Sequence, residues 1–333
     1  MKFNNDTNSI LFGTWLNFFK KSNVEWLEFF EKMSDAGITE YFVNATIDQL
    51  KYLIDLTKGS NVNIHGWVWI LNRPNDVEAS KNMNWYSVNK LKQNSYDFRA
   101  YVDYYQWLSP FSKGARNYIK NNILNISKIK EIASVHLDYI RYCDIFLPIN
   151  LQKKYGLNQT FEMPEFDFGY HPNARKAFKK KYDIDPIDIK NKELFRYWNH
   201  FRLDAITSLV TELKIIAHQN KTQISAAVFP YPKMSREMVR QDWSKWELDI
   251  MCPMNYHHFY DEDINWIGKS VSKGIKDISS KSKYLSGLFV GALNPKDLKK
   301  VIIKSLKNGA NGVSLFSAEG LSKDHLNVIK SFK

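Results

Sequence analysis

A (β/α)8 barrel, the TIM-barrel architecture, is the fold this sequence predicts, and three observations carry that expectation. Short β-rich runs alternate with longer helical patterns along the chain, the signature of a parallel sheet with crossover helices. Eight such runs fall within 333 residues, the usual size of a closed barrel. No G-x-G-x-x-G follows an early strand, as a dinucleotide-binding open sheet would require. With no linker and no low-complexity segment, one domain over residues 1–333 is expected.

The elements follow in order. Residues 10–17, ILFGTWLN, read as the first strand. NVEWLEFFEKMSDAG follows with apolar residues at helical spacing and Gly37 as its stop. The second strand is 38–45, with Thr46 as the N-cap of the next helix. The third is 61–72, NVNIHGWVWILN. A long polar and aromatic segment, roughly 73–112, comes before the next helix, and loops of that length are often functional. The stretch 133–148, ASVHLDYIRYCDIFLP, reads as strand four, with a second long loop over 143–172. NARKAFKKKYD and a much longer helix lead to strand five at 223–230. SREMVRQDWSKWEL reads as a helix before strand six, 249–256. Strand seven at 283–291 and strand eight at 311–318 complete the ring, with a short last helix.

Composition narrows the function. Charged residues at 25% against 44% hydrophobic fit a globular protein in water. Aromatics reach 15%, flat apolar surface suited to cores and to stacking on sugars or bases. The net charge of +12 comes from lysines spread over helix faces, with no Arg-rich tract and no nucleic-acid motif. A nucleic-acid partner is therefore not expected, whereas an anionic polysaccharide is compatible. Cys143 and Cys252 are far apart, which gives neither a disulfide framework nor a metal spacing. No run reaches the ~18 apolar residues of a membrane span, and MKFNNDTNSILFGTW lacks a signal h-region. No cofactor or metal is expected, and the chain is expected to be a monomer.

Barrel active sites form where the strands end. Side chains alternate along a strand, so in strand four Val135, Leu137 and Tyr139 face the helices while His136, Asp138 and Ile140 face the barrel. Asp138 then sits in the mouth, with Arg141 as a charge neighbour. His65, Trp67 and Trp69 share the inward face of strand three. Asn44 ends strand two, and Asn255, Tyr256, His257 and His258 crowd the end of strand six. Adjacent histidines on a strand point apart, which argues against a metal there. Glycoside cleavage needs two carboxyl groups, one to protonate the leaving oxygen and one to attack or to activate water. Asp138 is the first candidate. Asp242 is the preferred partner, Glu319 the reserve and Asp103 an outside candidate. Tyr101, Trp85 and Tyr105 of the long loop are further candidates for a sugar-binding wall. No G-x-S-x-G, H-E-x-x-H or reactive cysteine setting supports other chemistry.

VHLDYIRYCDIFLP, YVDYYQWLSP, VRQDWSKWELDIMCPMNYHHFY and NGANGVSLFSAEGL together resemble the family-10-like glycosyl hydrolases, bacterial (β/α)8 barrels with HLDYIRYP and PMxYxxFY strands. The resemblance covers nearly the whole chain. It implies a glycoside hydrolase acting on a polysaccharide or oligosaccharide, and export to the periplasm or beyond. It places Asp138 as the strand-four acid, Asp242 in the QDW segment, and Asn255, Tyr256 and His257 in the substrate wall. Cys143 stands where the family pattern has proline, and the DFGYHPNARKAF segment carries no cysteines. Two alternatives remain: a carbohydrate-binding barrel without catalysis, and a binder of anionic polymers or nucleic acid.

Overall fold

The computed structural model describes residues 9–333; the first half of the segment weighed as an export signal lies outside them. Eight parallel strands close in sequence order: β1 Leu11–Asn17, β2 Glu40–Asn44, β3 Asn63–Trp69, β4 Ser134–Asp138, β5 Gln223–Val228, β6 Ile250–Pro253, β7 Lys283–Phe289 and β8 Gly312–Phe316. Around them lie α1 Asn23–Ala36, α2 Ile47–Leu56, α3 Val77–Ser80, α4 Lys113–Ser127, α5 Ile149–Lys154, α6 Pro172–Tyr182, α7 Lys192–Gln219, α8 Pro232–Val239, α9 Ile264–Asp277, α10 Pro295–Lys307 and α11 Lys323–Lys330. The structure is the (β/α)8 barrel that the alternating pattern implied.

Local chemistry sets the element ends. Ser22 and Glu25 form a reciprocal capping box that starts α1, and Gly37 ends it at φ 108°. Thr46 and Gln49 form the same box before α2, each cap contributing about 1 kcal/mol. The alternation of strand residues then divides the apolar mass. Outward residues such as Tyr41, Ile64, Val135, Leu137 and Ile224 enter the main core between sheet and helices. Inward residues fill the barrel, with Trp15, Phe42, Trp67, Ile250, Cys252 and Leu285 in one buried cluster.

Two differences from the sequence reading bear on the site. First, β4 stops at Asp138 because Tyr139 adopts a left-handed backbone, φ 49°. That turn inverts the alternation: Tyr139 faces the barrel mouth and Ile140 enters the helix-side core. Second, the helix expected over SREMVRQDWSKWEL ends at Val239, with Arg240 left-handed at φ 49°. Gln241 replaces the lost helical bonds with a clamp. Its Oε1 accepts from the Phe229 amide at 2.9 Å and from Ser235 Oγ at 2.7 Å, and its Nε2 donates to the Ile140 carbonyl at 3.1 Å. Asp242 is thus on a turn, not on a helix.

The long loops are built segments. After β3, Asn72 Oδ1 accepts from the Gln106 amide at 2.9 Å, and Ser95 Oγ donates to the Trp107 carbonyl at 2.7 Å. After β4, a buried ion pair of Arg202 and Asp167, joined by Tyr170, pins the loop to α7. Tyr170, Ala174, Phe178 and Trp198 pack a satellite core there.

Candidate active site

A cavity of about 420 Å³ opens at the C-terminal ends of the strands. The barrel supplies its floor through Trp15, Trp67, Trp69, Asp138, Ala227 and Phe316. The loop after β3 brings Tyr104 and Tyr105, and the loop after β4 brings Leu151, Lys154 and Tyr155. Met254, Tyr256, Phe259 and Tyr260 close the side beyond β6. Apolar ring faces with a few placed polar groups are what a sugar-binding cleft requires.

Asp138 is held from two directions. Trp67 Nε1 donates to its Oδ2 at 3.0 Å, and the Tyr139 amide donates to its Oδ1 at 2.7 Å. Burial nevertheless dominates and raises its pKa above the ordinary carboxyl range, against those two donors and the Arg141 charge. A carboxyl group so placed tends to keep its proton and is suited to act as an acid. Trp69 Nε1, beside it, has no hydrogen-bond partner among the described residues.

Among the described residues, one other carboxylate lines this cavity, Asp144. Arg141 Nη1 reaches its Oδ2 at 3.0 Å and Tyr105 Oη donates to the same oxygen at 2.8 Å. The guanidinium also lies over Trp107 at 4.9 Å, Phe229 at 5.1 Å and Tyr139 at 5.2 Å. Arg141 is therefore the cation of Asp144 at least as much as of Asp138. The sequence reading passed over Asp144 although it stands in the quoted RYCD, three residues after Arg141.

The other candidates divide. Trp67, Trp69, Tyr256, Arg141 and Tyr105 line the cavity. Asp242 does not: Arg236 Nη1 donates to it at 2.9 Å and Ser244 Oγ at 2.7 Å, with Lys245 3.6 Å away. Although burial opposes it, these donors hold its carboxyl below the usual range, as fits a turn anchor. Glu319 is exposed on the turn after β8 and Asp103 is exposed in the loop after β3, both outside the cavity lining. Asn44 pairs with Asn17 at the exposed rim. Asn255 is sealed under α9, accepting from Ser270 at 2.6 Å and donating to Ser286 at 3.0 Å. His257 is buried in the turn after β6, and burial lowers its pKa. His136 lies below the cavity, fully buried. Tyr101 braces the loops instead, its hydroxyl donating to the Asp144 carbonyl at 2.9 Å. Trp85 packs on Tyr118 outside the barrel. Tyr104, Tyr139, Phe229, Phe259, Tyr260 and Phe316 also line the cavity; the aromatic richness of the loops was the one signal for Tyr104, Phe259 and Tyr260, while Phe229 and Phe316 stand at strand ends.

Comparison with known proteins agrees with the barrel fold. No curated protein matches the sequence. The fold is similar to the glycoside hydrolase domain of PgaB (BpsB) from Bordetella bronchiseptica, with TM-score 0.70, 10% identity, and 96% of this chain and 98% of that one covered. It is also similar to the catalytic domain of a β-amylase from Paenibacillus polymyxa, with TM-score 0.63, 12% identity and 98% of both chains covered. A β-galactosidase from the haloarchaeon Halorubrum lacusprofundi superposes with TM-score 0.72 at 10% identity, over 97% of this chain and 57% of that one. The family model described as "Glycosyl hydrolase-like 10" matches residues 8–275. A barrel of this form, matched over most of its length by that model, belongs to the glycosyl hydrolase-like 10 family.

Proposed function

We propose that this protein hydrolyses glycosidic bonds of an oligosaccharide or polysaccharide, with Asp138 as the general acid and Asp144 as the ionised partner. One observation carries the reading: a carboxyl group with a burial-raised pKa stands at the floor of an aromatic cavity at the barrel mouth. Its proton goes to the leaving glycosidic oxygen as the C–O bond breaks. The aglycone departs as an alcohol, and water supplies the hydroxyl of the new reducing end. Asp144, held by Arg141 and Tyr105, faces the developing positive charge at the anomeric carbon or the attacking water. Trp67, Trp69 and Tyr256 offer ring faces to the C–H face of a pyranose. Export of the protein is proposed on family likeness.

The test is a glycan panel with product analysis, run on wild type, Asp138→Asn and Asp144→Asn. Asp138→Asn keeps shape and glycan affinity, and turnover is expected to fall by about 10²–10⁴, the usual worth of a general acid. Wild-type turnover in that variant would exclude Asp138. A second reading, a carbohydrate-binding barrel without catalysis, is favoured by the saturation of Asp144 Oδ2 by Arg141 and Tyr105. It predicts equal glycan binding by wild type and Asp138→Asn with no product from either.

A further inference from the structure

A chain of hydrogen bonds runs through the barrel interior from the cavity floor to the opposite rim. Trp15 Nε1 donates to His136 Nε2 at 3.0 Å. His136 Nδ1 meets Ser225 Oγ at 2.8 Å, and Ser225 Oγ meets Ser134 Oγ at 2.8 Å. Ser134 Oγ meets His65 Nδ1 at 2.7 Å, and His65 Nε2 meets Glu40 Oε2 at 2.9 Å. Glu40 Oε1 also accepts from Thr39 and Asn63, each at 2.9 Å. Strand register explains the line-up: Trp15 stands beside Phe42, Phe42 beside His65, His65 beside Ser134, and His136 beside Ser225, all pointing inward.

The two ends fix every proton between them. An indole N–H can only donate, and an ionised carboxylate can only accept. His136 Nε2 must therefore be bare, which leaves its proton on Nδ1, donated to Ser225. Ser225 then donates to Ser134, Ser134 to His65 Nδ1, and His65 Nε2–H to Glu40. This order holds while both imidazoles are neutral. Protonating His136 would set its Nε2–H against the Trp15 N–H, in a chamber walled by Phe42 at 4.3 Å between ring centroids. Burial independently disfavours a charged His136, and the His65 charge would disfavour it further.

We propose that His136 is a positioning residue, locked as the neutral Nδ1–H tautomer, that holds the buried Trp15 ring beneath the cavity floor, where it props Phe316, a ring of the cavity wall 6.0 Å away between centroids. The proposal rests on the glycosidase reading for the identity of the ligand, not for the proton order. Trp15 has no other hydrogen-bond acceptor among the described residues. Without His136 the indole can rotate, and the Phe316 ring propped on it shifts in the wall of the cavity that holds the sugar. Ser225 and Ser134 act at one and two removes, without touching the cavity.

The test reads nitrogen shifts and kinetics together. In wild-type protein labelled with ¹⁵N-histidine and ¹⁵N-tryptophan, His136 is expected to show bare Nε2 and protonated Nδ1, unchanged from pH 8 to pH 5. One slowly exchanging indole N–H should vanish or shift in His136→Phe. That variant is expected to raise KM for the best glycan roughly tenfold or more, as loss of binding shared by ground and transition state does, with a smaller fall in kcat. His136→Gln, whose side-chain oxygen can accept the indole proton, should recover most of it. Ser225→Ala, a milder change, should leave the His136 tautomer as it is, because Trp15 still holds Nε2 bare, with little loss of folding; a protonated Nε2 in that variant contradicts the proposal. A protonated Nε2 in wild type, or an unmoved indole signal with wild-type KM in folded His136→Phe, overturns the proposal. The spectra need no turnover, so failure of the hydrolase reading leaves the tautomer result standing.

Discussion

Trp67 and Tyr139 grip the two oxygens of Asp138, and this grip opposes the burial that raises its pKa. Removing one donor shows the sign. Trp67 N–H favours the ionised carboxylate, so Trp67→Phe raises the Asp138 pKa further. A general acid works protonated, and activity falls as pH rises through its pKa. The alkaline limb of the kcat/KM profile is therefore expected to move to higher pH in Trp67→Phe, at reduced maximal rate; an unmoved or acid-shifted limb contradicts the assignment. The same shift bears on stability. A carboxyl group with a raised folded pKa binds more protons folded than unfolded, so its contribution is full below the unfolded pKa, about 4, and is lost as pH rises through the folded value. Asp138→Asn is expected to melt higher than wild type at pH 8, with the difference shrinking towards pH 4, by thermal denaturation. The inward aim of Asp138 was legible because strand alternation is a rigid period of two. Tyr139 was not, because one left-handed residue ends that period and nothing in its side chain announces it. Asp144 was within reach, an acid three residues from Arg141, but it lies in a loop, where strand alternation sets no direction.

The turn after α8 shows how an element can be misread and why. Its apolar spacing continues past Val239, yet Gln241 and Arg240 take backbone and carboxylate partners that a helix would deny them. Long-range polar clamps carry no local periodicity, so the sequence places the QDW acid on a helix. Gln241→Leu leaves the Phe229 amide and the Ile140 carbonyl without their partner, at about 1–3 kcal/mol for each buried group left unpaired. A lowered midpoint in urea, with cavity residues misplaced and activity reduced, is the expected outcome; an unchanged midpoint would contradict the clamp. The loop after β4 depends likewise on a buried pair. Arg141→Leu strands Asp144 in a buried site, a loss of about 3–5 kcal/mol for broken buried pairs. It is expected to destabilise more than Asp144→Asn in the same denaturant titration.

At the scale of the molecule, closure of the barrel was legible because it needs only the order and spacing of strands, which composition and turn residues mark. The cavity wall was half legible. Trp67 and Trp69 lie on a strand and could be placed, whereas Tyr104, Tyr155 and Tyr260 reach the mouth through loops whose paths depend on distant contacts. Charge makes a further distinction. The net +12 is spread over the chain, while the cavity balances Arg141 against Asp144 within itself. Glycan turnover is therefore expected to vary little between low and moderate salt, over a range in which a nucleic-acid binder with many phosphate contacts would lose about 10³ or more in affinity; a steep loss in a salt titration would point to a polyanion instead.

The most direct measurement is a crystal structure of Asp138→Asn with an oligosaccharide that wild type cleaves. The account predicts a sugar ring on the Trp67, Trp69 and Tyr256 faces, with its glycosidic oxygen within hydrogen-bonding distance of the residue 138 amide. A sugar bound elsewhere, or seated there with residue 138 out of reach of every glycosidic oxygen, contradicts it.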